Sequence, residues 1–355
     1  MFGSVLTFGE PTKQGTKTTK TVREQVMRIA RMLSYSIVAL LAMGFTTPAQ
    51  AQGASDYPNR PIRVIVSNSA GSSVDITARI MAEAVKKYLG QGLVTENKPG
   101  GGQRLGASLV AKSPPDGYTL LFTSPTPIVV AQFFPPKLGF DPARDFRPLA
   151  AGVFQPVLLV VRPTLGVKTV DEFVAYAKSN PGKISFGVPG MDGEMYLSLE
   201  LFKRTAGMDI RPIPYNAAPV AIADLLAGRL DAKFLVLPPI KGYLESGKLL
   251  ALATLNDTRI ALLPYIPTMM EIGRPEMTNA IWFGYLAPAK TPDSVIEKLA
   301  RAFGQLQSDA ALRKRVAELG AELNTVGPAE FGKIIETDRR RYGKIVADGN
   351  LAKQN

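Results

Sequence analysis

Residues 61–90 read PIRVIVSNSAGSSVDITARIMAEAVKKYLG, and this stretch decides the fold class. Its opening β-branched run, IRVIV at residues 62–66, is short and apolar enough to predict a strand buried in a parallel sheet. Ser67 ends the run, and residues 67–73 (SNSAGSS) carry no side chain larger than Asn, so backbone amides and hydroxyls can approach a small molecule closely. Ile76, Ile80, Met81, Ala84, Val85 and Leu89 then recur at helical spacing, with Asp75 in the first turn, where a carboxylate suits the positive end of the helix dipole. A strand, a small polar loop and a helix N-terminus make a cradle for an anion or polar ligand. The same unit also serves as an ordinary βα connection capped by Ser72 or Ser73.

Working outward, the pattern repeats. Residues 92–96 lead into a glycine-rich run, NKPGGGQRLG at 97–106, which predicts a tight turn feeding a helix at 107–112. As a dinucleotide or phosphate loop it is a weak match, because Leu105 stands where the third glycine belongs and no Lys-Ser/Thr pair follows. A turn at 114–117 precedes a second buried strand at 118–122, which ends in the small polar cluster TSPT at 123–126. Two parallel strands that both end in Ser/Thr-rich loops place those loops at one sheet edge. Further strands are expected at 157–161, 184–188, 210–215, 232–237, 249–255 and 282–287, and helices at 197–206, 218–227, 292–308, 310–319 and 328–349, with another helix opened by Thr169. Strands alternating with helices indicate an α/β protein with parallel sheets. No flexible linker divides the chain, so two domains would be joined by crossing strands, for which residues 157–161 and 282–287 are the candidates.

Composition narrows the chemistry. With no cysteine and no histidine, a thiol nucleophile, an imidazole base, a Ser-His-Asp triad and a Cys/His zinc site are all excluded. No catalytic residue, metal ligand or cofactor is assigned. At the N-terminus Arg28 and Arg31 precede the apolar run at 32–45, followed by TTPAQA at 46–51: the signature of a secretory signal peptide cut after Ala51. Setting residues 1–51 aside lowers the formal net charge from +12 to +8. No basic stripe interleaved with aromatics argues for nucleic acid, and Arg339, Arg340 and Arg341 read as a solvated helix face. Without cysteine no lipid can be attached, so the mature chain is expected free in the periplasm.

Asn97-Lys98-Pro99-Gly100-Gly101-Gly102, continuing through residues 106–121 (GASLVAKSPPDGYTLL), is similar to the solute-binding receptors of tripartite tricarboxylate transporters, the Bordetella uptake gene (Bug, TctC-like) type. The likeness extends through Phe140-Asp141-Pro142, Pro214-Tyr215, residues 224–228 (DLLAG), Ile266-Pro267-Thr268 and Trp282-Phe283-Gly284. It implies a two-lobed periplasmic binding protein fold (type II-like), with parallel-rich sheets flanked by helices. Lobe 1 would comprise residues 52–155 and 281–355, and lobe 2 residues 156–280. The implied function is an extracytoplasmic receptor, a monomer, that closes on a small carboxylated solute and delivers it to the membrane subunits of a tripartite transporter. Carried onto this chain, the binding residues would be Ser67, Asn68, Ser69, Ser72, Ser73 and Asp75 in the first loop, and Ser124 and Thr126 in the second. Gly190, Met191, Asp192, Gly193 and Glu194, with Tyr215, Asn216 and Ala217, would face them from the other lobe.

This chain departs from the pattern it resembles. Asp192 and Glu194 add acids, Asn216-Ala217 replaces a Lys-Gly pair, and Arg104 stands where a small amide is commoner. If those groups face the cleft, a multiply charged anion is disfavoured, and a solute with one or two carboxylates is expected. An amine or ring on that solute would meet Met191, Met195 or Tyr196. Alternatively, the two acids simply flank a helix N-terminus. Two other functions share the scaffold: a sensor that presents its solute to a signalling partner, and a periplasmic enzyme using Asp75 with Asp192 or Glu194 as an acid/base pair.

Overall fold

The computed structural model describes Gly3, residues 57–215 and residues 217–353, so the signal-peptide reading at 1–51 and the candidate Asn216 fall outside the described residues. The chain opens with β1 (Ile62–Val66), α1 (Ser73–Leu89), β2 (Leu93–Asn97), α2 (Arg104–Ala111), β3 (Thr119–Thr123) and β4 (Phe146–Gln155). It continues with β5 (Val157–Val161), α3 (Val170–Ser179), β6 (Ser185–Val188), α4 (Glu194–Ala206), β7 (Arg211–Pro214), α5 (Ala218–Leu226), β8 (Ala232–Val236), α6 (Lys241–Glu245) and β9 (Leu250–Thr254). Last come β10 (Ile281–Pro288), α7 (Asp293–Gln305), α8 (Ala310–Glu318), β11 (Glu322–Val326) and α9 (Pro328–Gly349).

These strands build two sheets, in the orders β11-β4-β10-β3-β1-β2 and β7-β6-β8-β5-β9, each forming one lobe with its helices. Between these strands, parallel pairing joins β1 with β2 and β3, and β6 with β7 and β8. The strands that carry the chain between lobes pair antiparallel, so both sheets are mixed rather than parallel throughout. The chain crosses once at Pro156, between β4 and β5, and returns in β10 at the centre of the six-stranded sheet. Two strands escape the sequence reading. Pro148 and Gly152 interrupt β4, which bulges against β10, and β11 is a largely polar edge strand.

Helix boundaries follow from local chemistry. Ser72 caps α1 by accepting from the Asp75 N–H at 3.3 Å, and Gly90, at φ 71°, ends it. The apolar faces then bury aromatics: Tyr285 of β10 packs on Phe122 of β3 at 4.6 Å between centroids and on Phe303 of α7 at 4.3 Å. Each such ring contributes about 1.5–3 kcal/mol by leaving water. Helix α9 packs on β4 in one lobe and on α4 in the other. Its Asp338 accepts from the Trp282 indole at 2.8 Å, and its Tyr342 hydroxyl donates to Asn279 at 2.9 Å.

Candidate functional site

On the six-stranded lobe, β1 and β3 are parallel neighbours, so their C-terminal ends bring Ser67 and Thr123 side by side, and the two hydroxyls share a 2.6 Å hydrogen bond. Ser67 Oγ also lies 3.4 Å from Gln103 Oε1, to which Ser124 donates at 3.2 Å. Gln103 therefore joins both polar loops. It holds a left-handed φ of 70° just before α2, a conformation uncommon for a side-chain-bearing residue and enriched where structure serves a site. Behind it, Gly106 lets α2 touch the end of β1: a Cβ there would stand 3.0 Å from the Lys98 carbonyl and 3.1 Å from Ser67 Cα.

The first loop is shaped by Asp75. Its buried carboxylate accepts from the Gly71 N–H at 2.9 Å and from the Asn97 amide at 2.9 Å, and pairs with Arg79 at 3.0 Å. Burial pushes this carboxyl up, but the bonds from Arg79, Gly71 and Asn97 together hold it below the usual carboxylate value. Asn97 also donates to the Asn68 carbonyl at 3.0 Å. Ser69 is exposed, while Asn68, Ser72 and Ser73 are half-buried.

On the other lobe, β6 delivers residues 189–193 to the start of α4. Asp192 reaches the six-stranded lobe and pairs with Arg104 through Oδ2 and Nη1 at 2.7 Å. Glu194, in the first turn of α4, is buried and accepts from the Thr126 hydroxyl. Burial pushes the Glu194 carboxyl up against the lowering effect of that bond, with Asp192 adding to the rise. Neither acid merely flanks a helix end, since each binds a residue of the opposite lobe. Gly190, Met191 and Gly193 lie half-buried in the same loop. Tyr196 is 2% exposed and packs in the core.

Tyr215 is tied to the end of β6 by its N–H to the Val188 carbonyl at 2.8 Å, and its hydroxyl donates to Asp224 at 2.8 Å. Burial and that carboxylate push its phenol up to about 12. Ala217, at the N-terminus of α5, is exposed. The residues brought together across the lobes are therefore Ser67, Ser124, Thr126, Asp192 and Glu194, with Gln103 added by the structure and Arg104, a departure legible in the sequence, joined to them as the partner of Asp192. The signal for those two was the glycine-rich run they end, because glycines at 100–102 announce a close approach. Asp75, Asp192 and Glu194 each bind a different residue: Asp75 accepts from the Gly71 N–H, Asp192 from Arg104 and Glu194 from Thr126. Among the described residues no group of three or more carboxylates is placed to hold a metal ion. Two surface depressions lie elsewhere, one between the last turns of α4 and α9 and one along α9 beside Phe146 and Leu286.

The profile described as tripartite tricarboxylate transporter family receptor (TctC) matches residues 77–351. The chain belongs to this receptor family. Protein BugT of Bordetella pertussis is 31% identical to it over 323 residues, covering 91% of this chain and 98% of BugT. Among solved structures, Rpa4515 of R. palustris with adipate superposes with a TM-score of 0.78 at 30% identity, covering 84% of this chain and 99% of that one. MatC from Rhodopseudomonas palustris with bound malate gives 0.73 at 28% identity, covering 82% of this chain and 100% of that one. Periplasmic binding protein BugD superposes with a TM-score of 0.74 at 28% identity, covering 83% of this chain and 99% of that one, and the two-lobed α/β fold is shared with it.

Proposed function

We propose that this chain is a periplasmic receptor that captures a small organic acid with one or two carboxylates between its lobes and hands it to the membrane subunits of a tripartite transporter. Lobe 1 comprises residues 52–155 and 281–355 and lobe 2 residues 156–280, following a signal peptide cut after Ala51. The protein acts as a monomer, without a cofactor and without chemistry of its own. The observation that carries this reading is the meeting of the two sets of loops, Arg104 with Asp192 and Thr126 with Glu194, at the C-terminal ends of the parallel strands. Adipate in Rpa4515 and malate in MatC support a dicarboxylate of that size. The solute is held by Ser67, Asn68, Ser69, Ser72, Ser73, Ser124 and Thr126 on one side. Residues 190–194 and 215–217 line the cleft from the other, with Asp75 fixing the first loop from behind.

A thermal-shift screen of the refolded protein against mono-, di- and tricarboxylates, amino acids and aromatic acids tests this. A solute at a hundred times its dissociation constant adds about 2.7 kcal/mol to stability. A saturable rise with one carboxylate class is the expected result, and a rise only with neutral solutes overturns the reading.

A further inference from the structure

Arg104 is bound as an incompletely used anion receptor. Its side chain is 13% exposed, and its guanidinium is steadied by the Gly101 carbonyl at 3.1 Å from Nη1 and the Ala131 carbonyl at 3.4 Å from Nη2. The fork carries five N–H donors and suits a two-point grip on a carboxylate. Asp192 takes only Nη1, through one oxygen, while Nε is buried without any hydrogen-bond partner. An unmatched donor on a buried cation is costly, and a two-point contact is stronger than the single one formed.

The two acids of the facing loop differ in how readily they could let go. Glu194 is buried, so releasing it from Thr126 would strand a carboxylate away from water. Asp192 has a side chain 28% exposed and lies between Gly190 and Gly193, whose permissive backbones ease its movement into solvent. Gly102 leaves room for the pairing: at φ 61°, a Cβ there would stand 2.8 Å from Arg104 Nη1 and 2.9 Å from Asp192 Oδ2.

From this geometry we infer that Arg104 is the residue that grips a solute carboxylate, and that Asp192 is its built-in competitor, exchanged for the solute when the cleft is filled. The inference rests on the proposed carboxylate-receptor function and names the residue that sets its affinity. The apparent dissociation constant is the intrinsic one divided by the fraction of protein whose Arg104 is free, so Asp192 weakens binding of every carboxylate that uses this guanidinium.

Calorimetric titration with adipate and with malate tests it on the full protein and on Asp192→Asn, Arg104→Gln and the double variant. Asp192→Asn keeps the side chain's volume and removes its charge, and it is expected to tighten the carboxylate that binds by tenfold or more. Arg104→Gln is expected to weaken it by tenfold or more, and adding Asp192→Asn to Arg104→Gln to restore nothing. If Asp192→Asn binds as the parent does, or more weakly, the pair is a structural brace and the inference is overturned while the receptor function stands. If neither probe binds the parent or Asp192→Asn, the inference and the dicarboxylate reading fall together. Should Arg104→Gln fail to fold, the Asp192→Asn titration decides alone.

Discussion

Lys233 lies in the middle of β8, 3% exposed, with its side chain laid across Gly187 of β6, where a Cβ would stand 3.2 Å from Lys233 Cδ. No ion pair of its ammonium forms among the described residues, and burial alone pushes it down from 10.5 to about 8. The folded protein therefore releases this proton at about pH 8 while the unfolded chain keeps it to 10.5, so native stability rises with pH across that window and the burial penalty is full below it. Lys233→Met, which keeps the length without the charge, is expected to stabilise the protein at pH 7 by on the order of 3 kcal/mol. The gain should shrink as the pH passes from 8 toward 10.5. Urea unfolding at pH 7 and pH 10 reads both effects, and an equal or lower stability of the variant at pH 7 would refute the account.

At the scale of elements, the site depends on how closely α2 sits against the end of β1. That contact is legible only partly in the sequence. The run at 97–106 announces glycine and a close approach, but not which glycine touches which strand, because the Lys98 carbonyl and Ser67 Cα reach Gly106 only when sheet and helix are packed. Gly106→Ala is expected to lift α2, displace Ser67 and cost about 1–3 kcal/mol through overpacking. Weaker carboxylate binding should accompany the loss. Ala substituted at Gly92, where a Cβ meets nothing within 4 Å, serves as the control in the same melting and titration experiments. Strands β4 and β11 were illegible for a related reason: a bulged strand with internal Pro and Gly, and a polar edge strand, lack the alternation that marks a half-buried strand.

Across the whole molecule, one chain of hydrogen bonds runs from α9 to the meeting of the lobes. The Tyr342 hydroxyl donates to Asn279, whose amide donates to Ser198 at 3.0 Å; Ser198 donates to the Glu194 carbonyl at 2.9 Å, and Thr126 donates to the Glu194 carboxylate. It links the helix that closes the fold, the returning connection before β10, and the first turn of α4. Tyr342→Phe leaves the Asn279 carbonyl without its donor in a buried place, and a loss of about 1–3 kcal/mol is expected in urea unfolding. An unchanged midpoint would show that Asn279 finds another partner.

The sequence by itself determined the α/β class, the strand, small polar loop and helix that open the fold, and the receptor family. Each rests on local periodicity, on residues too small to block a ligand, or on motifs kept in order along the chain. It also brought out Asp192, Glu194 and Arg104 as departures, without saying whether they meet. Only the tertiary structure decided that. Arg104 and Asp192 are 88 residues apart and belong to different lobes, so their contact exists only once β1 and β6 have been packed and the chain has crossed at Pro156. Packing likewise decided that Tyr196 lies in the core, because a helix's facing direction is set by what it packs against.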